Sequence, residues 1–142
     1  ELKELILDWA ESKDLLNFDN SSKQTLKLIE ECGELAKAIL KNDIENQKEE
    51  IGDVFVVITI LSEILNDKSF EATPEHNFNY FTDLDIQLLY LLKEENLGNK
   101  LALVDNKAMK LNHTLIECAN IAYNKNKNRK GQTINGTFIK DK

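Results

Sequence analysis

The stretch EEIGDVFVVITILSEIL, residues 49–65, decides the fold of this chain. At about 100° per residue, its apolar side chains cover nearly the whole circumference of a helix. Only Gly52, Thr59 and Glu63 mark a narrow polar edge. Because a helix that is apolar on most sides has to be buried among other elements, we predict a central helix over about residues 46–65.

Apolar residues at helical spacing predict four further helices. The first begins at Leu2 and ends near residues 17–21, and the others cover about residues 22–41, 84–95 and 101–128. We expect Gly98 to end the fourth helix. A polar linker that contains the only proline, Pro74, is predicted over residues 66–83.

The 142 residues fit a single domain, and the shortage of proline and glycine favours the all-α class. We predict an antiparallel helical bundle of about five helices. The chain has only two long helices with such extensive apolar surface, so we expect a homodimer or homotetramer to complete the bundle. Near the end, Asn135-Gly136 lies between short β-favouring pairs and predicts either a tight hairpin or an extended tail.

Composition narrows the classes of partner. The net charge of −7 argues against a nucleic-acid partner, and the longest apolar runs are shorter than the roughly 20 residues that a membrane span needs. Cys32 and Cys118 form no metal or redox motif, so a reduced cytoplasmic protein is expected.

Two carboxylates lie on the apolar side of the central helix. On the helical projection, Glu50 and Asp53 fall in line with Val57, Leu61 and Ile64 rather than on the polar edge. A lone carboxylate in such surroundings costs several kcal/mol of desolvation, which a proton, a base or a metal ion relieves. Because they are three residues apart, the two side chains point the same way.

The second helix carries a matching pair. Glu31 and Glu34 lie along its flank, on the same stripe as Gln24 and Lys27. If the second and third helices pack antiparallel, E-x-x-E and E-x-x-D face one another. Oxygen ligands without His or Cys favour Mg²⁺, with Mn²⁺ as an alternative, over Zn²⁺.

Each pair also has a purely structural interpretation. Glu31 and Glu34 alone are typical of the solvated flank of a helix, with Lys27 and Glu31 as an ordinary ion pair. Glu50 and Asp53 can also be acids that favour the first turn of a helix. The conjunction of two acid pairs on neighbouring helices, one of them on a buried stripe, favours a metal site.

The string EECGEL, residues 30–35, followed by EIGD, residues 50–53, resembles the E-E-x-x-E and E-x-x-D signature of the MazG-like all-α nucleoside triphosphate pyrophosphohydrolases. That superfamily includes dimeric dUTPases and dCTP pyrophosphatases. Residues 7–16, 23–41, 49–65 and 122–140 resemble the compact MazG-like proteins of Gram-positive bacteria and their phages. Residues 66–106 are long for that type and are expected to be an insertion.

The resemblance implies that Glu31, Glu34, Glu50 and Asp53 bind Mg²⁺ and that a triphosphate is cleaved to monophosphate and pyrophosphate. Either Glu34 or Glu30 then takes the proton of the attacking water. The implied phosphate-binding residues are Lys127 and Arg129, with Asn124 and Lys125 as weaker candidates. Gln24 and Lys27 are candidates to contact the phosphates from the other side. Alternatively, Lys and Arg at the C-terminal end of a helix can simply interact favourably with the helix dipole.

These residues do not identify the nucleobase of the substrate. Trp9 and Tyr123 are the first aromatic candidates to test for stacking on it. Three functions compete with a broad pyrophosphohydrolase. They are a specialised dUTPase or dCTP pyrophosphatase, a non-catalytic helical interaction module, and a nucleic-acid-binding helical protein, which the net charge disfavours.

Overall fold

The computed structural model describes residues 1–67, 97–135 and 137–141. These residues form a helical bundle with a small antiparallel hairpin, so the predicted all-α class is confirmed. The elements are α1 (Leu2–Ser12), a 3-10 turn (Phe18–Asn20), α2 (Ser21–Leu40), α3 (Ile44–Leu65), α4 (Leu97–Lys110), α5 (Leu115–Asn126), β1 (Gly131–Ile134) and β2 (Thr137–Lys140).

Helix α3 is the centre of the bundle. Every residue from Glu50 to Ser62 is buried, and the helix packs against α1, α2, α4 and α5. The predicted central helix is therefore confirmed, and its apolar circumference is covered within one chain. Among the described residues, no helix combines the length and the hydropathy that crossing a membrane requires.

Helices α2 and α3 are antiparallel neighbours joined by three residues. Asn42 adopts a positive φ of 53°, which turns the chain after α2. The Asp43 carboxylate then accepts a hydrogen bond of 3.1 Å from the backbone N–H of Asn46 and caps α3. This cap explains why α3 begins at Ile44, two residues before the predicted start.

The helix predicted over residues 101–128 is wrong, because the chain forms two helices there. Helix α4 ends at Lys110, Asn112 takes a left-handed φ of 59°, and the Thr114 hydroxyl caps α5 by accepting from the Glu117 N–H at 3.1 Å. Gly98 lies inside α4 instead of ending a helix. The helix predicted over 84–95 lies outside the described residues, as does almost all of the predicted linker.

The C-terminal segment is a hairpin, and the extended-tail alternative is excluded. Gly131 pairs with Lys140 and Thr133 with Phe138, while Asn135 supplies a positive φ of 51° in the turn. The Thr133 hydroxyl donates to the carbonyl oxygen of Lys13, which ties the hairpin to the end of α1. The hairpin therefore lies over the bundle.

Gly52 sets the distance between α3 and α5. A Cβ at this position would lie 2.0 Å from the carbonyl oxygen of Cys118 and 2.8 Å from the Cβ of Ala122. Only a residue without a side chain permits this approach. By contrast, a Cβ on Gly33 of α2 would meet no atom within 4 Å.

We expect Gly52→Ala to lower the free energy of unfolding by about 1–3 kcal/mol, because the added methyl group forces α3 and α5 apart. The matched control is Gly33→Ala, which gains up to about 1 kcal/mol of helix propensity. Urea denaturation of both variants at the same low protein concentration measures the difference. Equal stability of Gly52→Ala and the wild type would contradict the close approach.

Candidate metal centre

Three carboxylates converge between α2 and α3. Glu31 of α2 and Glu50 and Asp53 of α3 each offer one oxygen, and these atoms lie within 4.8 Å of one another. Glu50 is only 7% exposed and Asp53 only 8%. The three acids were predicted as metal ligands, and the antiparallel packing of two helices places them together.

The cluster disfavours its own negative charge. Burial, followed by the charges of Asp53 and Glu31, raises the pKa of Glu50 to about 8. Burial and the charge of Glu31 also raise the pKa of Asp53. Because opposite charge relieves both effects, the site favours either a proton or a cation beside these oxygens.

Two side chains of α5 hold Asp53 in place. The Asn126 amide donates to Asp53 Oδ1 at 3.1 Å, and the Lys125 ammonium lies 3.3 Å from Asp53 Oδ2. Lys125 also donates to the Glu49 carboxylate. Burial lowers the pKa of Lys125, but the hydrogen bond to Glu49 and the charge of Asp53 outweigh it, so the net pKa is raised.

The donor set fits a hard divalent cation. The three carboxylates supply only oxygen ligands, which suit Mg²⁺ or Mn²⁺ better than Zn²⁺. Lys27 lies 2.9 Å from Glu31 and 2.9 Å from Glu30, so it neutralises one side of the cluster. On the other side, Asp53 shares the ammonium of Lys125 with Glu49. The buried acidic cluster can therefore bind a metal ion.

A cleft of about 340 Å³ opens onto the cluster. This volume lies within the range of small-ligand pockets in proteins. Its wall combines the acids with basic and aromatic side chains from α1, α5 and the hairpin. The lining residues that matter below are Trp9, Leu15, Gln24, Lys27, Glu30, Glu34, Lys125, Asn126, Arg129, Phe138 and Lys140.

The end of the cleft nearest α1 is aromatic. The rings of Trp9 and Phe138 meet edge to face, with centroids 5.7 Å apart and an angle of 74° between their planes. The indole Nε1 of Trp9 is buried and has no hydrogen-bond partner among the residues that the structure describes. Burying an N–H without an acceptor costs about 1–3 kcal/mol, so an acceptor brought to this end of the cleft would be favoured.

Comparison with known proteins relates the residues of the acidic cluster to a family of nucleotide-hydrolysing domains. Residues 20–73 match the model of the MazG nucleotide pyrophosphohydrolase domain. This part of the chain resembles a MazG domain. The matched residues include α2 and α3 and therefore all three acids of the cluster, which confirms the resemblance inferred from the EECGEL and EIGD strings.

One relative is an uncharacterized 18.2 kDa protein in the rep-hol intergenic region of Haemophilus phage HP1. It is 42% identical over 65 residues, which cover 44% of this chain. The chain spans about two-fifths of that relative, since the match covers 40% of its length. No solved structure matches the chain significantly.

The two other predicted acids, Glu30 and Glu34, lie at the rim of the cleft. Glu34 lines the cleft, but its side chain is 46% exposed, outside the group of three, and 3.6 Å from Lys37. Glu30 also lines the cleft and is engaged by Lys27 at 2.9 Å. The structure thus separates three buried acids from two exposed ones.

Some of the predicted phosphate-binding residues line the cleft and others do not. Gln24, Lys27 and Arg129 line the cleft. Asn124 and Lys127 are exposed and are not among the lining side chains, and the Lys127 ammonium lies 5.9 Å from the ring centroid of Tyr123. Both occupy α5 or its end but face away from the cleft.

Sequence reasoning missed Asn126, Glu49, Phe138 and Lys140. A signal for Asn126 was present, because it continues the spacing of Ala119 and Ala122 along the buried stripe of α5. A polar residue on an apolar stripe is the same anomaly that identified Glu50. Phe138 and Lys140 reach the cleft only through the docking of the hairpin, which no local pattern indicates.

The raised pKa of Glu50 predicts an unusual dependence of stability on pH. Between about pH 5 and about pH 8, the metal-free folded protein holds a proton that the unfolded chain releases, so the free energy of unfolding falls as pH rises. Since Mg²⁺ competes with that proton, its stabilising effect grows over the same interval. Thermal unfolding with EDTA and with Mg²⁺ measures both trends.

Glu50→Gln is expected to flatten the metal-free trend, whereas Glu45→Gln, at an 83% exposed side chain on the same helix, leaves it unchanged. A stability of the metal-free wild type that rises steadily across this interval would contradict the burial of the cluster's charge.

Proposed function

We propose that this protein hydrolyses a nucleoside or deoxynucleoside triphosphate to the monophosphate and pyrophosphate, with Mg²⁺ held by Glu31, Glu50 and Asp53. The observation that carries the proposal is the buried group of three carboxylate oxygens within 4.8 Å of one another. The match of residues 20–73 to a nucleotide pyrophosphohydrolase domain supports the same reaction.

When bound, a divalent cation supplies a Lewis acid that polarises a phosphoryl oxygen and lowers the pKa of water. Residues of the chain orient the carboxylates that would bind this cation. Asn126 and Lys125 fix the two oxygens of Asp53, so the carboxylate keeps one orientation. Burial of Glu50 strengthens its attraction to a cation, because the surrounding medium screens charge poorly.

Basic side chains on the cleft wall suit the phosphates. Arg129 and Lys140 line the cleft, and among the described residues neither makes an ion pair. A guanidinium presents several donors in a fixed plane and binds phosphate oxygens in pairs. We assign Arg129 and Lys140 to the leaving pyrophosphate, with Lys27 on the opposite wall.

Glu34 is the better candidate for the proton acceptor. It lines the cleft outside the group of three, so a metal ion need not occupy its carboxylate. One carboxylate oxygen of Glu30 already accepts a hydrogen bond from the Lys27 ammonium at 2.9 Å. A carboxylate at the rim of the site can accept the proton of the attacking water.

The aromatic end of the cleft suits the nucleobase. Trp9 and Phe138 offer ring surface. The Nε1–H of Trp9 has no acceptor within the described part of the chain and can donate to a carbonyl oxygen on the base. Uracil, thymine, cytosine and guanine present such an oxygen, whereas adenine does not. We therefore expect adenine nucleotides to be the poorest substrates.

The main alternative within the same chemistry is a specialised dUTPase or dCTP pyrophosphatase, which a panel of triphosphates separates from a broad enzyme. A homodimer or homotetramer stays a prediction, as does a cytoplasmic location. A non-catalytic interaction module would keep the fold and bind metal without turnover.

The decisive assay incubates the protein with each common NTP and dNTP in Mg²⁺ and identifies the products. We expect monophosphate and pyrophosphate, and a loss of about 100-fold or more in kcat for Glu50→Gln and for Asp53→Asn, since each removes a ligand of the cation. Glu63→Gln, at an exposed position of the same helix, is the matched control.

In the same assay, Glu34→Gln should lower kcat while Mg²⁺ affinity stays unchanged. Orthophosphate and diphosphate as products would place cleavage at the other bond. Unchanged pyrophosphate release by both Glu50→Gln and Asp53→Asn would exclude the proposed site.

Trp9 is the only tryptophan, so its fluorescence reports directly on the aromatic end of the cleft. We expect nucleotides to change that fluorescence at saturating concentration. Trp9→Phe keeps a ring but removes the N–H, and should lower kcat/KM by about tenfold for carbonyl-bearing bases but not for adenine. An equal loss for every base would rule out the hydrogen bond.

A further inference from the structure

The Lys125 ammonium bridges an acid of the buried cluster and an acid outside the cleft. It lies 3.3 Å from Asp53 Oδ2 and also pairs with the Glu49 carboxylate. Lys125 and Asp53 line the cleft, whereas Glu49 is not among the lining side chains. Glu49 can therefore act on the cleft through Lys125, without touching a bound ligand itself.

The position of the bridge follows from helical spacing. Glu49 and Asp53 are four residues apart on α3, so their side chains lie one turn apart on the same face. Like charges at this spacing repel each other, and the ammonium between them offsets the repulsion. Because the side chains of Lys125 and Glu49 are only 31% and 30% exposed, solvent screens this pair less than it screens a surface pair.

An ammonium beside Asp53 competes with a divalent cation for the same carboxylate. Both are positive, so the charge of Lys125 weakens the binding of a cation at Asp53. Asp53 Oδ1 accepts a hydrogen bond of 3.1 Å from Asn126, so Oδ2 is the oxygen for which Lys125 competes. Cation binding is therefore favoured if the ammonium has a second carboxylate to pair with.

We propose that Glu49 is a positioning residue of the metal centre, which holds the Lys125 ammonium away from Asp53 when Asp53 binds a divalent cation. This inference rests on the metal site of the proposed function. Lys125 already contacts both acids, so the exchange needs only a small rotation of its side chain. With Glu49 as its partner, the part-buried ammonium is never left unpaired, which would be costly.

The two partners are expected to have opposite effects on metal affinity. Lys125→Met removes the competing charge and should raise the affinity for Mn²⁺ about fivefold. Glu49→Gln leaves the ammonium with Asp53 as its carboxylate and should lower that affinity about fivefold. When Lys125→Met is already present, no ammonium has to be held, so adding Glu49→Gln should change the affinity by less than about twofold.

Isothermal titration of the full chain with Mn²⁺, in the absence of nucleotide, measures these affinities. Two controls remove the same charges at exposed positions of the same helices. Glu45→Gln removes an acid from α3 at an 83% exposed side chain, and Lys127→Met removes a cation from the end of α5 outside the cleft. Both should bind Mn²⁺ like the wild type, and circular dichroism verifies that every variant is folded.

If Glu49 acts only as a nearby negative charge, Glu49→Gln lowers the affinity at least as much in Lys125→Met as in the wild type. That result would overturn the inference, as would a Glu49→Gln variant that binds Mn²⁺ like Glu45→Gln. A wild type that binds no Mn²⁺ would refute the metal centre itself, and this inference with it.

Crystals soaked in Mn²⁺ give an independent readout of the same exchange. The Lys125 ammonium should contact Glu49 and lie beyond hydrogen-bond distance of Asp53. An ammonium that stays on Asp53 beside a bound Mn²⁺ would contradict the positioning role of Glu49.

Discussion

The burial of like charges at one place in a helical core is the constraint on which this structure depends. Glu50 and Asp53 belong to a helix whose other buried residues are almost all apolar, and α2 adds a third acid, Glu31, beside them. Carboxylates in such surroundings lose hydration without gaining a full set of cationic partners. The fold therefore holds the three oxygens where a hard cation is the most favourable addition.

The elements around α3 make that arrangement persist. Because Gly52 has no side chain, α5 lies close enough to α3 for Asn126 and Lys125 to contact Asp53. The hairpin then brings Phe138 opposite Trp9 and closes the far end of the cleft. The acids, the basic side chains and the aromatic wall of the cleft thus come from α1, α2, α3, α5 and the hairpin.

Helical periodicity was enough to predict α2, α3 and the convergence of Glu31, Glu50 and Asp53, because those features depend on one short connection and on spacing within a helix. The break between α4 and α5 was not predicted, although the sequence holds a local signal for it. Asn112 is a residue type that tolerates the left-handed region, and Thr114 is a good helix cap. The exposure of Glu34 depends on the rotation of α2 against α3, which the sequence alone does not specify.

The most direct test of the central claim is anomalous diffraction from crystals of the protein soaked in Mn²⁺, which takes the same oxygen ligands as Mg²⁺. The account predicts an anomalous peak among the carboxylates of Glu31, Glu50 and Asp53, and no peak there in Glu50→Gln crystals. A peak elsewhere, or an empty cluster at saturating Mn²⁺, would contradict it.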